Sequence, residues 1–304
     1  MAAGPLEIVT DDVTLRALTW GDWTDPTAPV AVCLHGFPDT AHGWREVAPR
    51  LADAGWRVVA PFMRGYAPSS LSALDSYHVG ALMDDALRIL DAAGPTGRDV
   101  IIGHDWGAMA ATGLAAMPDS PFVKATIMSV PPSAAFRSRT GLADALRLMA
   151  RLPRQLRRSW YILFFQLPWL PERVAERVVP RLWRDWSPGY DGAEDVGQVL
   201  HAIGAPANWR AALGYYRAMV RNSRPPARYA ELQRHWLQAP VLPTLYLHGS
   251  DDGCASADYT AWVRRVLPTG SSAQVVDGGG HFLQLDQSDA TAHHILEFIG
   301  SGHR

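Results

Sequence analysis

The chain is poor in the residues that mark several protein classes. Its 304 residues include two cysteines, Cys33 and Cys254. Their separation matches neither a metal-ligand nor a redox spacing, which leaves no disulfide scaffold and makes each a buried, reduced thiol. There is a single lysine, Lys124, and the formal net charge is −2, which excludes the uniformly basic surface of a nucleic-acid binder. No run approaches the roughly 18 apolar residues of a membrane span. The first residues, Met1-Ala2-Ala3-Gly4-Pro5-Leu6-Glu7, lack the basic and apolar regions of a secretory signal. The expectation is a cytoplasmic protein. Internal repeats and low-complexity tracts are lacking too.

What remains is globular. Hydrophobic residues make up 48% and charged residues 19%, enough to bury a core without metal or disulfide support. The length suggests two domains, or one large α/β unit carrying an insertion. Charge is unevenly spread: residues 133–237 hold 17 arginines against 8 acidic residues, and the rest of the chain is acidic. That contrast marks residues 133–237 as a separate unit whose basic surface is solvated or faces the acidic body.

The hydrophobic pattern supports the same division. Strand-like and helix-like segments alternate before residue 132: strands at Val13–Trp20, Val30–Leu34, Trp56–Ala60, Val100–Ile102 and Val123–Val130, helices at Trp44–Ala54, Val79–Ala93 and Gly107–Met117. From Ser133 to Leu237 the pattern is helical, broken by prolines and rich in tryptophan. Strand–helix alternation resumes with Thr244–His248, Ala257–Leu267, Ala273–Val276 and Ala290–Ile299. This predicts an α/β fold, a mostly parallel sheet flanked by helices. Residues 1–132 and 238–304 form the core and residues 133–237 a helical insertion.

Four segments at expected strand ends carry chemistry. Gly103-His104-Asp105-Trp106-Gly107 joins a strand to a small-residue helix, and glycines on both sides of Asp105 allow a sharp turn that lifts its side chain above the sheet. A carboxylate there can attack carbon and form an ester; the plainer reading is a helix N-cap. His281, in Gly278-Gly279-Gly280-His281-Phe282, follows the last strand, and an acid is expected after Thr244–His248. Nucleophile, acid and histidine would then follow in that chain order. The acid is Asp252, with Asp251 as the second candidate. His35-Gly36-Phe37-Pro38 can turn the Phe37 N–H toward Asp105, with a cis Phe37–Pro38 bond. With the Trp106 N–H it would form an oxyanion hole. His104, His248, His293 and His294 read as structural.

These motifs, with Arg64-Gly65-Tyr66, resemble those of the α/β-hydrolases and specifically of their epoxide hydrolases, over nearly the whole chain. The resemblance implies an α/β-hydrolase fold whose insertion is a cap, with no cofactor or metal, a small hydrophobic epoxide as substrate, no nucleic-acid partner, and a homodimer left open. It also implies two cap tyrosines: Tyr161, four residues before the Phe165-Gln166 pair, and Tyr216, with Tyr215 as the other register. Asp105, His281 and Asp252 would form the catalytic triad. The tyrosines would protonate the ring oxygen. The cap tryptophans would be mostly core anchors, one or two lining an apolar pocket. Two positions depart from the family pattern: Phe62 stands where an acid is usual, and Ala67-Pro68 where a glycine is common. Haloalkane dehalogenases share the aspartate elbow and are the rival reading; a non-catalytic ligand receptor is a third.

Overall fold

In the computed structural model, residues 2–137, 141–221, 223–300 and 302 are described. Eight strands appear in chain order: β1 (Ala2–Val9), β2 (Thr14–Trp20), β3 (Val30–Leu34), β4 (Arg57–Phe62), β5 (Val100–His104), β6 (Lys124–Met128), β7 (Thr244–Gly249) and β8 (Ser272–Val276). They form one sheet in the order β1-β2-β4-β3-β5-β6-β7-β8. β2 runs antiparallel to β1 and β4, and every other neighbouring pair is parallel. β3, β4, β5 and β7 are buried at every position. A strand covered by helices on both faces requires this, and it explains why these segments read as unbroken apolar runs.

The helices α1 (Val47–Asp53), α2 (Val79–Ala93) and α3 (Trp106–Ala115) belong to the first half of the core, and α11 (Thr260–Val263), α12 (Leu283–Asp286) and α13 (Ser288–Ile299) to the second. α1 packs with α13, and α2 with α3. Pro49 sits in the first turn of α1, where its missing N–H costs no helical bond. Between β6 and β7 the chain forms α4 (Ser133–Arg137), α5 (Gly141–Arg158), α6 (Trp160–Phe164), α7 (Ala175–Trp186), α8 (Ala193–Ile203), α9 (Pro206–Val220) and α10 (Ala230–Gln233), with no strand among the described residues.

Register brings the chemistry to one end. Leu34 pairs with Gly103, His104 with Met128, Met128 with Leu247, and Gly249 with Val276. The loops leaving β3, β5, β7 and β8 therefore emerge side by side at the carboxyl edge, where open α/β sheets bind ligands.

Two expectations change and a third holds with one exception. β1 is a strand that the sequence did not announce, because Gly4-Pro5 interrupts it; an edge position tolerates that proline. Ala257–Leu267 is not one helix but a 3-10 turn (Ala257–Tyr259) followed by the short α11. Of the cap tryptophans, Trp183, Trp186 and Trp209 are buried anchors, whereas Trp169 follows Pro168 at a positive φ of 48° and faces solvent.

Candidate active site

Asp105 occupies the turn between β5 and α3 with φ 51° and ψ −111°. Few non-glycine residues adopt such a conformation, and a tightly packed surround must hold it. Gly107 permits the packing: a Cβ there would lie 2.2 Å from the Leu34 carbonyl oxygen. Asp105 stands at the N-cap position of α3, but its side chain makes no capping bond to that helix. Its carboxylate turns instead to the β3 loop, where the Phe37 N–H donates to Oδ1 at 2.8 Å. Gly36 makes that approach feasible, since a Cβ there would lie 2.5 Å from the same oxygen. The Phe37–Pro38 peptide is cis. Trp106 opens α3, and the first N–H groups of a helix have no intrahelical acceptor, so its N–H points out of the helix beside Asp105.

The opposite oxygen faces the histidine. His281 Nε2 lies 3.7 Å from Asp105 Oδ2, and this buried nitrogen makes no hydrogen bond. His281 Nδ1 pairs with Asp252 Oδ2 at 3.0 Å. Asp252 Oδ1 accepts from the N–H groups of Cys254 (2.6 Å) and Ala255 (3.0 Å). Asp251 is exposed, its carboxylate beside the Ser250 hydroxyl, so of the two candidate acids only Asp252 reaches the histidine.

Burial drives the His281 imidazole toward neutrality, but the carboxylates of Asp252 and Asp105 outweigh it and hold the proton up to about 10. Burial pushes Asp252 the other way, yet His281 keeps its carboxyl below the ordinary range. The resting site is thus an imidazolium between two carboxylates.

Tyr161 and Tyr216 meet edge to face above it, ring centroids 5.6 Å apart. Tyr216 packs against Phe37 (5.2 Å) and Trp106 (5.1 Å). Its buried hydroxyl holds no hydrogen bond of normal geometry, although the Trp106 side chain is close. The Tyr161 hydroxyl meets Cys254 Sγ at 3.5 Å. Burial first, then the nearby Asp105 charge among others, raises both phenols well above their usual range, so both keep a proton to donate. Tyr215 turns away and donates to the Arg64 carbonyl at 2.8 Å.

The chain matches the family model for the alpha/beta hydrolase fold over residues 29–288. It is 30% identical to epoxide hydrolase A of Mycobacterium tuberculosis, over 95% of each chain. The chain belongs to the α/β-hydrolases, in their epoxide hydrolase family. Among solved structures, epoxide hydrolase A from Mycobacterium thermoresistibile superimposes with a TM-score of 0.70 at 25% identity, covering 97% of this chain and 98% of that one. A structure described with novel epoxide hydrolases from hot-environment metagenomes gives 0.77 at 23% identity, covering 99% of each chain, a likeness of fold.

Several residues around this α/β-hydrolase site carried no sequence signal. His104 donates from Nε2 to the His281 carbonyl at 2.9 Å; burial, with His281 nearby, pushes its own proton affinity down to about 3, so it stays neutral. The Ser129 hydroxyl donates to the same carbonyl at 2.7 Å. His248, expected only to end a strand, faces Asp252 Oδ2 at 3.3 Å and receives the Tyr246 hydroxyl on Nδ1 at 2.5 Å. Cys254 was assigned no neighbours, yet its sulfur, Asp252 and His281 lie within 4.8 Å of one another. The carbonyl of Trp186, at the end of α7, accepts from both Gly253 N–H and His281 N–H at 3.0 Å. It ties the insertion to the loops bearing Asp252 and His281. Such cross-loop bonds depend on tertiary placement, and no local spacing encodes them.

The Arg64 guanidinium lies between Asp12 (2.8 Å) and Asp85 (2.7 Å). These acids come from distant segments, and Phe62 takes no part in the pairing. A surface concavity of about 410 Å³ beside Arg264, Ser272 and Gln274 lies at the amino end of β8, opposite the edge that carries Asp105. The site itself is packed shut by aromatic side chains.

Proposed function

We propose that the protein adds water across an epoxide to give a vicinal diol, through an ester on Asp105. One arrangement carries this reading: a carboxylate with one oxygen on a backbone N–H at 2.8 Å, the other facing only His281 Nε2 at 3.7 Å, and two protonated phenols beside it. Asp105 Oδ2 attacks a ring carbon; the C–O bond of the ring breaks and its oxygen takes a proton from Tyr161 or Tyr216. An alkoxide is a poor leaving group, so a positioned acid is what ring opening needs. Water then attacks the ester carbonyl and gives its proton to His281, oriented by Asp252. Charge develops on Oδ1, which already sits at the Phe37 N–H with the Trp106 N–H beside it. The acyl bond to Oδ2 breaks, that oxygen takes the proton back from His281 as the diol leaves, and the acid left on Asp105 gives its proton up to restore the tyrosine.

In this reading residues 133–237 act as a cap supplying the tyrosines, the substrate is a small hydrophobic epoxide, and the enzyme works in the cytoplasm. Haloalkane dehalogenation is disfavoured. The Phe37 side chain is buried among Phe165, Trp209 and Tyr216 and offers no halide donor, while the two phenols would be left without a task.

A single turnover in heavy-oxygen water tests the scheme. The label should enter the Asp105 carboxylate and reach the diol only on later turnovers; label in the first diol would refute the ester. His281→Gln should accumulate the ester, seen by intact-protein mass spectrometry as a gain of one substrate mass on the peptide carrying Asp105.

A further inference from the structure

Helix α5 is turned inside out. A surface helix normally buries its apolar stripe and exposes its polar one. Here the polar residues bind the body: Asp144 pairs with Arg265, Arg151 with Asp258 (2.8 Å), Gln155 Nε2 donates to the Cys254 carbonyl (2.9 Å), and Arg158 donates to the Ala255 carbonyl (3.0 Å). Among the described side chains, four large apolar ones face solvent: Leu146 is 55% exposed, Met149 67%, Leu152 46% and Leu156 57%. At about 100° per residue, these four span a sector of about 120°, and the body-bound residues fall nearly opposite. Beyond the helix, Leu163 and Trp169 are also well exposed. Contiguous apolar surface of this kind marks an interaction site.

Charge selects the occupant. The exposed, described positions of α5 hold two charges, Arg154 and Arg157, and no acid. A second copy docking through the same face would bring only another acid-free, arginine-bearing stripe. An apolar stripe bordered by arginines is instead the pattern of a helix lying in a lipid headgroup layer. We propose that α5 docks the protein onto an anionic lipid surface. No helix among the described residues is long and apolar enough to cross a membrane, so the contact is peripheral. Gln155 ties the docked helix to the loop carrying Asp252, and Tyr161 follows α5 by three residues.

Co-sedimentation with vesicles tests this without any reaction, so its outcome is independent of the proposed chemistry. The whole protein should bind vesicles of phosphatidylcholine mixed with phosphatidylglycerol, and bind phosphatidylcholine alone far more weakly. Raising salt to about 1 M, where the screening length falls to about 3 Å, should erase that difference. Met149→Gln with Leu156→Gln should weaken binding about a hundredfold, roughly tenfold for each apolar side chain withdrawn. Arg154→Gln with Arg157→Gln should cost about 25-fold. All four positions are exposed, so thermal melts should match wild type. Equal binding to the two vesicle types, or wild-type binding by the Met149/Leu156 pair, would overturn the proposal. So would a wild-type dimer in sedimentation equilibrium that this pair dissociates, because the face would then belong to a second copy.

Discussion

The proton on His281 must be surrendered before that residue can act as a base, and the site geometry says when. Asp252 at 3.0 Å and Asp105 at 3.7 Å both stabilise the imidazolium and hold its proton up to about 10 against burial. Ester formation neutralises one of these two anions. A unit charge at 3.7 Å, in an effective dielectric of about 20, contributes about 4.5 kcal/mol. Its loss weakens the proton affinity about a thousandfold, bringing the imidazole to about half neutral near neutral pH when the ester needs a base. Asp105→Asn imitates the uncharged ester side chain at nearly constant shape. Titration of the His281 ring protons by NMR, assigned by their loss in a His281→Gln background, should find wild type still protonated well above neutrality. The Asp105→Asn variant should lose its proton about three pH units lower. Identical midpoints in the two proteins would show that Asp105 does not hold the proton, and the switch from cation to base would fail.

Other consequences can be measured in parallel. Tyr161→Phe and Tyr216→Phe should each slow ester formation by roughly 10²-fold, read by stopped-flow fluorescence, because each removes one protonated phenol. Arg64→Met should cost about 3–5 kcal/mol in urea unfolding, because it leaves Asp12 and Asp85 as unpaired buried carboxylates. Burial holds the Asp39 carboxyl up at about 7, against an ordinary 3.8. The folded state thus binds that proton more tightly than the unfolded chain, and this contribution to stability is lost as pH rises from about 4 to about 7. Asp39→Asn removes the charge, and Gln284 Oε1, buried without a partner, can accept from the new amide once that side chain flips. The variant should therefore gain on wild type in melting temperature as pH rises through this window; a difference independent of pH would refute the assignment.

How far the sequence revealed this molecule depended on whether a feature was local. The strand runs and the elbow glycines around Asp105 are local, since burial on two faces and a sharp turn leave marks within a few residues. The order of Asp105, Asp252 and His281 could be read because the sheet places consecutive strand ends on one edge. The partners of those residues could not. Nothing near His104, Ser129 or Trp186 in sequence says that their atoms meet the His281 backbone, because those contacts join segments up to 177 positions apart. The helical period of α5 was legible too, but not which face it buries. Apolar spacing predicts a stripe, and only the acceptors on the loop after β7 turn that stripe outward.

The Trp186 carbonyl has an implication for recombination among these enzymes. A single oxygen fixes the backbone of the loop bearing the triad acid and of the loop bearing the histidine, and it belongs to the inserted segment. Ser187, the next residue, extends the splice by accepting the Phe282 N–H at 3.1 Å and donating to Asp286 at 3.0 Å. A chimera that imports a foreign cap to change substrate preference would import this two-residue peg as well, and with it the spacing of the two loops. Crossover points that keep Trp186-Ser187 with the native loops should preserve the hydrolytic step. Those that replace the pair should lose it first, even where the new pocket binds its epoxide well.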